Sequence, residues 1–242
     1  MSYDWNWRFL LDTVAAGEGS YLDWLLAGLG WTVALSLAAW ALALALGLAV
    51  GTARTLEARW LRAPAAAWVE LFRNVPLLVQ FFLWFFVVPE LLPRDLGLWV
   101  KQDMPAKEFV TAVLCLGFFT SARVAEQLRS GIGSLPPGQR LAALALGMRL
   151  AQAYRHVILP RALRVVLPPL TSEFMNVIKN SSVAYAIGVM ELTFQARQMQ
   201  EETARGLETY LAVTTLYFLC AFAANRAMAA IEARSRIPGY LG

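Results

Sequence analysis

The run WLLAGLGWTVALSLAAWALALALGLAVGTA, residues 24–53, contains thirty residues and no charged side chain. A helix rises about 1.5 Å per residue and the hydrocarbon core of a bilayer is about 30 Å thick, so about 20 such residues cross it. The run therefore predicts a membrane-spanning helix with some tilt. Its small residues Ser36, Ala43, Gly47 and Gly51 would allow another helix to approach closely.

Four more apolar stretches follow, so the sequence predicts an all-α integral membrane bundle of about five spans in a single domain, residues 1–242. The second stretch, residues 61–88, contains Glu70, Arg73 and Pro76, and we expect that span to be kinked or polar inside. The others cover residues 106–127, 165–190 and 209–225.

The composition agrees with a membrane protein. Of the 242 residues 58% are hydrophobic and 16% are charged, whereas about a quarter of a soluble domain is charged. Five spans with their loops use the whole length, which leaves no room for a separate enzyme domain outside the membrane. His156 is the only histidine, and Cys115 and Cys220 lie in apolar stretches, so no metal site is predicted.

The distribution of basic residues predicts the orientation. With five spans, the segments on one side carry 13 Lys and Arg residues and those on the other carry 6. Cytoplasmic loops retain the excess, so the N-terminus is expected outside and the C-terminus in the cytoplasm. The basic pI of about 9.3 is explained by this topology, and no nucleic-acid partner is needed.

Catalytic signatures are scarce. A phosphate-binding P-loop needs lysine followed by serine or threonine, but the three lysines, Lys101, Lys107 and Lys179, precede other residues. The chain is therefore not expected to hydrolyse ATP. Two alternatives of other classes remain: an ATP-independent channel or structural membrane subunit, and an intramembrane hydrolase using Ser181 or Ser182 near Lys179.

A long segment rich in arginine, residues 129–164, is predicted to form a cytoplasmic loop with helices. Its core reads as a short helix, a turn at Gly147, and a second short helix that stops before Pro160. Apolar residues recur on one face of the first helix, which needs either a partner protein or the chain's own bundle to cover it. These residues are Leu141, Leu144, Ala145 and Met148.

Charged and amide side chains inside the predicted spans mark a candidate substrate pathway, because charge at that depth faces a pathway or pairs with another charge. Glu70 and Arg73 are three residues apart and could pair with each other. Lys179 lies about 120° around the helix from Glu173, so it faces a different neighbour or the helix breaks near residues 180–182. The full set of candidates is Glu70, Arg73, Asn74, Glu173, Asn176, Lys179 and Asn180.

Five stretches together resemble one family. They are ELFRNVPLLVQ at 70–80, SARVAE at 121–126, GQRLAALALG at 138–147 followed nine residues later by VILP, PPLTSEF at 168–174 and KNSSV at 179–183. In this order they resemble the permease subunits of binding-protein-dependent ABC importers, specifically the polar amino acid branch (the histidine, glutamine and glutamate permeases). The similarity covers residues 32–225 and is greatest to the glutamate/aspartate permeases.

The resemblance implies the function. It implies import of polar amino acids by alternating access, of glutamate and aspartate or else glutamine, histidine or arginine, across the bacterial inner membrane. It implies partners as well: an ATP-binding ABC subunit, a second permease subunit that is identical or related, and an extracytoplasmic amino-acid-binding protein on the outer segments 89–107 and 191–208. No cofactor is implied in this chain, since ATP would bind the partner subunit.

The resemblance also assigns the cytoplasmic loop as the coupling helix that contacts the ATPase. Leu141 occupies the position of the glutamate that the family usually has, which removes one possible salt bridge to the ATPase. Arg140, Arg149 and Arg155 could pair with acidic residues of that subunit. The coupling residues implied are Arg140, Leu141, Ala142, Ala143, Gly147 and Pro160.

Overall fold

The computed structural model of the chain describes residues 3–14 and 19–235. Arg236, one of the basic residues counted above, and Glu18 lie outside the described residues. The described part is helical apart from one isolated β-bridge. Its helices are α1 Tyr21–Ala53, α2 Arg59–Asn74, α3 Leu77–Phe82, α4 Val88–Leu91, α5 Arg94–Gln102, α6 Lys107–Gly133, α7 Pro137–Ala145, α8 Leu150–Ala153, α9 Leu159–Ser181, α10 Leu192–Thr203 and α11 Gly206–Ser235.

Length and composition support three or four of the five predicted spans within the described residues. The helices α1, α6 and α11, with 33, 27 and 30 residues, are each long and apolar enough to cross a membrane. The pair formed by α2 and Leu77–Leu91 qualifies as a fourth only as a bent unit. The remaining predicted span, residues 165–190, corresponds to α9, which has 23 residues but contains charged residues and two prolines, Pro168 and Pro169.

The predicted kink in the second span is confirmed. The direction of the chain changes by 106° between α2 and the helical segment that begins at Leu77. Val75 has an extended backbone (φ −97°, ψ 129°), as expected for a residue before proline, because the ring of Pro76 excludes the helical conformation there. A π-helical turn, Leu83–Val87, then joins α3 to α4.

The loop that the sequence assigned to the cytoplasm, residues 129–164, forms two short helices, as predicted, but its second half differs from the expectation. Gly147 has the left-handed φ of +82° that a sharp turn requires. The chain does not stop before Pro160. It continues from α8 through a π-helical turn, Tyr154–Ile158, in which the N–H of Leu159 donates to the carbonyl of Tyr154. This wider turn allows the proline, which has no N–H, to begin α9 without a break.

The chain divides into two compact units, which share the long helices. Described residues of the first unit come from 1–39, 76–116 and 176–222. Its core is a cluster of eight buried residues that joins the N-terminal segment to α1, α10 and α11. The members are Phe9, Val14, Tyr21, Leu25, Leu192, Ala196, Met199 and Val213.

Described residues of the second unit come from 40–75, 117–175 and 223–235. Aromatic contacts hold its helices together: Trp68 and Phe72 of α2 each meet Phe118 of α6, with ring centroids 5.0 Å and 5.7 Å apart. In α1, Trp40 stacks on Phe174 of α9 at 5.1 Å. These contacts place the end of α2 and the middle of α9 within one packed unit.

The prediction of close helix packing at small residues of α1 is also confirmed in this second unit. A Cβ at Gly47 would lie 2.6 Å from Val124 and 2.9 Å from the carbonyl oxygen of Ser121. A Cβ at Gly51 would lie 2.7 Å from the carbonyl oxygen of Ala125. The backbones of α1 and α6 therefore approach too closely for any side chain at these two positions.

Candidate substrate pathway and coupling surface

The first helix of the predicted cytoplasmic loop, α7, presents apolar side chains that the described residues do not cover. Leu141 is 65% exposed, and Leu146, just after the helix, is 82% exposed. Leu144 and Ala145 are also exposed, while Met148 is half-buried. A Cβ added at Gly147 would have no described atom within 4 Å, so the space around the turn is open. Within residues 3–14 and 19–235, the chain's own bundle therefore leaves this apolar face uncovered.

The opposite side of the helix pair is anchored to the rest of the second unit. Ala143 and Ala153 are buried, and the hydroxyl of Tyr154 donates to Thr55, 3.1 Å from its side-chain oxygen. Arg140 pairs with Glu57 at 2.5 Å, and this hydrogen bond raises the pKa of the guanidinium above its usual range. The turn after α1 is thereby connected to the cytoplasmic loop at two points.

Arg140 thus has a partner within its own chain. Arg149 and Arg155 are exposed, as expected for residues available to another subunit. Ala142 is exposed on α7, and Pro160 is exposed at the start of α9.

A carboxylate whose role sequence reasoning did not identify collects three guanidinium groups. Glu126 of α6 accepts hydrogen bonds from Arg54, at the end of α1, and from Arg129, whose Nε lies 2.9 Å away. Arg73 of α2 is 3.9 Å from the same carboxylate. One signal was present in the sequence, because Glu126 is the only acidic residue between Glu108 and Glu173.

The polar and charged residues predicted as candidates lie at the end of α2, but they pair with partners other than those that the spacing suggested. Glu70 accepts a hydrogen bond of 3.0 Å from the amide of Asn74, whereas Arg73 approaches Glu126. The Glu70–Arg73 pair that the spacing allowed does not form. All three of these α2 residues are exposed in the chain, so in this structure they lie at a surface.

Glu173 of α9 combines burial with an unmet hydrogen-bonding need. Its residue is 8% exposed, and its Oε2 atom is buried without a hydrogen-bond partner among the described residues. A buried polar atom of this kind normally has a partner, and a carboxylate without one carries a large desolvation cost. The atom is therefore a candidate position for a cationic ligand group.

The remaining candidates lie further along α9. Asn176 and Asn180 are half-buried and share the face of Glu173 by helical spacing, whereas Lys179 is exposed. The α-helix ends at Ser181 and continues as a 3-10 helix, Ser182–Ile187. The end of the α-helix therefore lies where one of the two alternatives for Lys179 placed it.

The serine residues at this break do not form a nucleophilic site. The hydroxyl of Ser181 donates to the carbonyl of Ile178, and that of Ser182 donates to the carbonyl of Lys179, each at 2.7 Å. These bonds satisfy the end of a helix. Neither hydroxyl is hydrogen-bonded to a base, which argues against the hydrolase alternative.

A second carboxylate that the sequence did not single out lies at the start of α10. Glu191 is fully buried and accepts from the backbone N–H groups of Thr193 and Phe194, each at 2.9 Å, and from the hydroxyl of Tyr217. Burial raises the pKa of its carboxyl to about 7, although these hydrogen bonds favour the ionised form. Glu191 is the N-cap of α10, a role that its position before an apolar turn could have indicated.

Among residues 3–14 and 19–235, no group of three or more His, Cys, Asp or Glu side chains could hold a metal ion.

Long apolar helices, a bent helix pair and a short helix whose apolar face no described residue covers are the features of a helical membrane permease. The chain matches the family model described as binding-protein-dependent transport system inner membrane component over residues 42–237. It is 45% identical to the glutamate/aspartate import permease protein GltJ of Escherichia coli K12, covering 100% of this chain and 99% of the relative. It is 32% identical to the probable glutamine ABC transporter permease protein GlnM of Bacillus subtilis 168, covering 82% and 85%.

Solved structures agree. An amino acid ABC transporter crystallised with histidines superposes with a TM-score of 0.75 at 31% identity, covering 88% of this chain and 95% of that one. A subunit of the methionine transporter MetNI, at 18% identity, gives the same TM-score and shares the fold. The chain belongs to the family of binding-protein-dependent ABC importer permeases.

Membership settles several of the expectations. The chain is a multi-pass inner-membrane component, and ATP hydrolysis belongs to a separate subunit. Permeases of this family typically bind no cofactor, and they work with an ATPase and a binding protein. The channel and structural-subunit alternatives are therefore excluded.

Proposed function

We propose that this permease imports glutamate and aspartate by alternating access. The observation that carries the substrate assignment is the 45% identity, over the full length of the chain, to the E. coli glutamate/aspartate import permease. Glutamine is the second candidate, because glutamine permeases are 32% identical to this chain.

The orientation belongs to the same proposal. The N-terminus lies outside and the C-terminus lies in the cytoplasm, which places α7 and the arginine-rich loop, residues 129–164, on the side of the ATPase. The binding protein delivers substrate to the outer segments 89–107 and 191–208. A second permease subunit, identical or related, completes the pore.

Coupling to ATP hydrolysis is assigned to the uncovered face of α7. Leu141 and Leu146 gain a favourable transfer free energy only when a partner surface removes them from water. The proposed coupling set is Arg140, Leu141, Ala142, Ala143, Gly147 and Pro160. Because Leu141 replaces the family's usual glutamate, contact at this position is apolar in this chain.

The substrate pathway is assigned to Glu173 and the α9 face that continues through Asn176 and Asn180. An amino acid substrate carries an ammonium group, which would provide the missing partner for the Glu173 carboxylate. Lys179, Glu70, Arg73 and Asn74 are further candidates, and their cationic and amide groups suit substrate carboxylates.

The experiment that tests the substrate is uptake into proteoliposomes. The permease is reconstituted with its ATPase and binding protein, and ATP-dependent entry of labelled glutamate is measured with unlabelled aspartate, glutamine, histidine or arginine as competitor. We expect aspartate to compete as strongly as glutamate and glutamine to compete weakly. Glutamine uptake that exceeds glutamate uptake would transfer the assignment to the second candidate.

A further inference from the structure

A cavity of about 360 Å³ lies in the second unit where the ends of α1 and α6 meet the cytoplasmic loop. Three arginines line it: Arg54 after α1, Arg129 near the end of α6, and Arg140 of α7. Tyr154 and apolar residues, among them Ile132, complete the wall. The cavity therefore combines a cationic wall with an apolar one.

The guanidinium groups at this cavity outnumber the carboxylates that face them. Arg54 and Arg129 share the single carboxylate of Glu126, which Arg73 also approaches at 3.9 Å. Arg140 pairs with Glu57, whose side chain is 79% exposed, and an exposed pair of this kind holds its partner weakly. The three guanidinium groups of the wall, with Arg73 close to the shared Glu126, thus meet two carboxylates, so positive charge is in excess.

The surroundings increase the attraction for an anion. The side chain of Arg54 is only 15% exposed, so part of the positive charge lies in a region where water screens it poorly. Each guanidinium has five N–H donors, and the carboxylates accept only some of them. Oxygen atoms of a phosphate group match this planar array of donors.

The position in the membrane indicates the source of the phosphate. Two of the helices that are long and apolar enough to span the bilayer end here, α1 at Ala53 and α6 at Gly133. The cavity is therefore at the depth of the lipid headgroups, and the cytoplasmic leaflet is rich in anionic lipids. Its volume equals that of about a dozen water molecules, which exceeds the need of one inorganic phosphate and leaves apolar wall for the glycerol region of a lipid.

We propose that this cavity binds the phosphate headgroup of an anionic phospholipid. Arg54, Arg129 and Arg140 hold the phosphate oxygens, and the apolar wall contacts the glycerol and the first acyl carbons. A bound headgroup would bridge α1 and α7, and it would stabilise the anchored side of the cytoplasmic loop. The inference concerns lipid binding and does not depend on which amino acid is transported.

The test measures binding directly. The permease is purified with its ATPase in a neutral detergent, and its thermal unfolding is followed during titration with phosphatidylglycerol or with phosphatidylcholine of the same acyl chains. A third titration uses inorganic phosphate at constant ionic strength. The double variant Arg129→Gln/Arg140→Gln is compared with Arg62→Gln/Arg164→Gln, which removes two exposed arginines of the same unit outside the cavity.

We expect phosphatidylglycerol to stabilise the wild type, with half-saturation weakened about 25-fold in the cavity variant, since each basic residue near an anionic surface contributes about fivefold. The control variant should bind as the wild type does, and phosphatidylcholine should produce no shift. If the cavity variant does not assemble, Arg129→Gln alone should show about a fivefold loss.

Three results would overturn the proposal. Equal weakening in both double variants would indicate general surface charge. Equal stabilisation by phosphatidylcholine would remove the role of the anionic headgroup. Stabilisation by inorganic phosphate alone, with no further effect of the lipid, would identify a site for a free anion.

Discussion

At the scale of single residues, two carboxylates accept hydrogen bonds from donors of the chain, and a third has an oxygen atom without a donor among the described residues. Glu126 and Glu191 are surrounded by donors, so they stabilise the chain itself. Glu173 is buried with one oxygen atom unpartnered among the described residues. A substrate ammonium group that binds there during transport would offset the desolvation free energy of this carboxylate.

The first prediction concerns this residue. Glu173→Gln keeps the size of the side chain but removes the charge, so the bond to a substrate ammonium loses its electrostatic part. We expect uptake at low substrate concentration to fall about 10- to 100-fold, the effect of losing a charged hydrogen bond. Ser172→Ala, at the exposed neighbouring position, serves as control and should transport normally. Wild-type kinetics in Glu173→Gln would place the pathway elsewhere.

The second prediction concerns the pH dependence of stability. The folded pKa of Glu191 is raised to about 7 from 4.5, so the folded chain holds this proton more tightly than the unfolded chain. The contribution of this group is fully present below pH 4.5 and is lost as the pH rises through 7.

Glu191→Gln replaces the titrating carboxyl group with an amide, which does not gain or lose a proton in this pH range. We expect the melting temperature of Glu191→Gln to rise relative to the wild type between pH 5 and pH 8, as measured by thermal unfolding in detergent. Glu201→Gln, on the exposed side of the same helix, should show no such relative change. A difference between Glu191→Gln and the wild type that stays constant with pH would contradict the raised pKa.

Sequence reasoning succeeded for residues whose chemistry is unusual in their surroundings and failed for partners distant along the chain. The charged positions in apolar stretches were found because charge there is rare. The pairing of Arg73 was not found, because Glu126 is 53 positions away and only packing of α2 on α6 brings them together. The spacing along the helix suggested Glu70 as the partner instead, because spacing takes no account of residues that tertiary packing brings close.

At the scale of elements, proline and glycine positions allowed the main bends to be predicted. Pro76 ends α2 and Gly147 makes the turn after α7, each for a backbone reason that is local. The junction at Pro160 was not predicted, because a π-helical turn accommodates the missing N–H and has no simple sequence pattern. Hydropathy alone likewise does not fix the number of spans, because a helix such as α9 contains charged residues within its apolar sequence.

The third prediction belongs to this scale. Gly147→Asp introduces a charged side chain at a left-handed position in the turn that we propose contacts the ATPase. A Cβ at this position would meet no described atom within 4 Å, so insertion into the membrane should persist. We expect ATP-dependent uptake to be abolished, as measured in the reconstituted transporter.

Gly138→Asp is the matched control, because Gly138 is also exposed and open but lies in the first turn of α7, where a carboxylate is favourable. It should retain most of the uptake. Normal uptake by Gly147→Asp would argue strongly against coupling at this turn.

At the scale of the whole molecule, the chain leaves surfaces that an assembly must cover. The described part of the chain does not cover the apolar face of α7 or exposed residues such as Phe218 and Phe222 of α11. Lipid accounts for some of this surface and partner subunits for the rest. The sequence identified the assembly through its family resemblance, but composition and periodicity alone did not specify which surfaces face protein.

The fourth prediction is the composition of the complex. After mild-detergent extraction of the tagged chain, mass spectrometry should identify an ATP-binding subunit and a second permease in stable proportion. The absence of a related permease sequence would establish a homodimer, and its presence a heterodimer. Recovery of the chain alone from a well-behaved preparation would contradict the proposed coupling surface.

The glycines of α1 also constrain how this protein can evolve. At Gly47 and Gly51 the obstacles include main-chain carbonyl oxygens of α6, so no exchange of a neighbouring side chain makes room for a larger residue. At Gly131 the nearest obstacle is the side chain of Val166, at 2.3 Å, which a smaller residue at position 166 would relieve. We therefore expect homologues to show paired changes at 131 and 166, whereas 47 and 51 should vary only when the distance between the two helices has itself diverged.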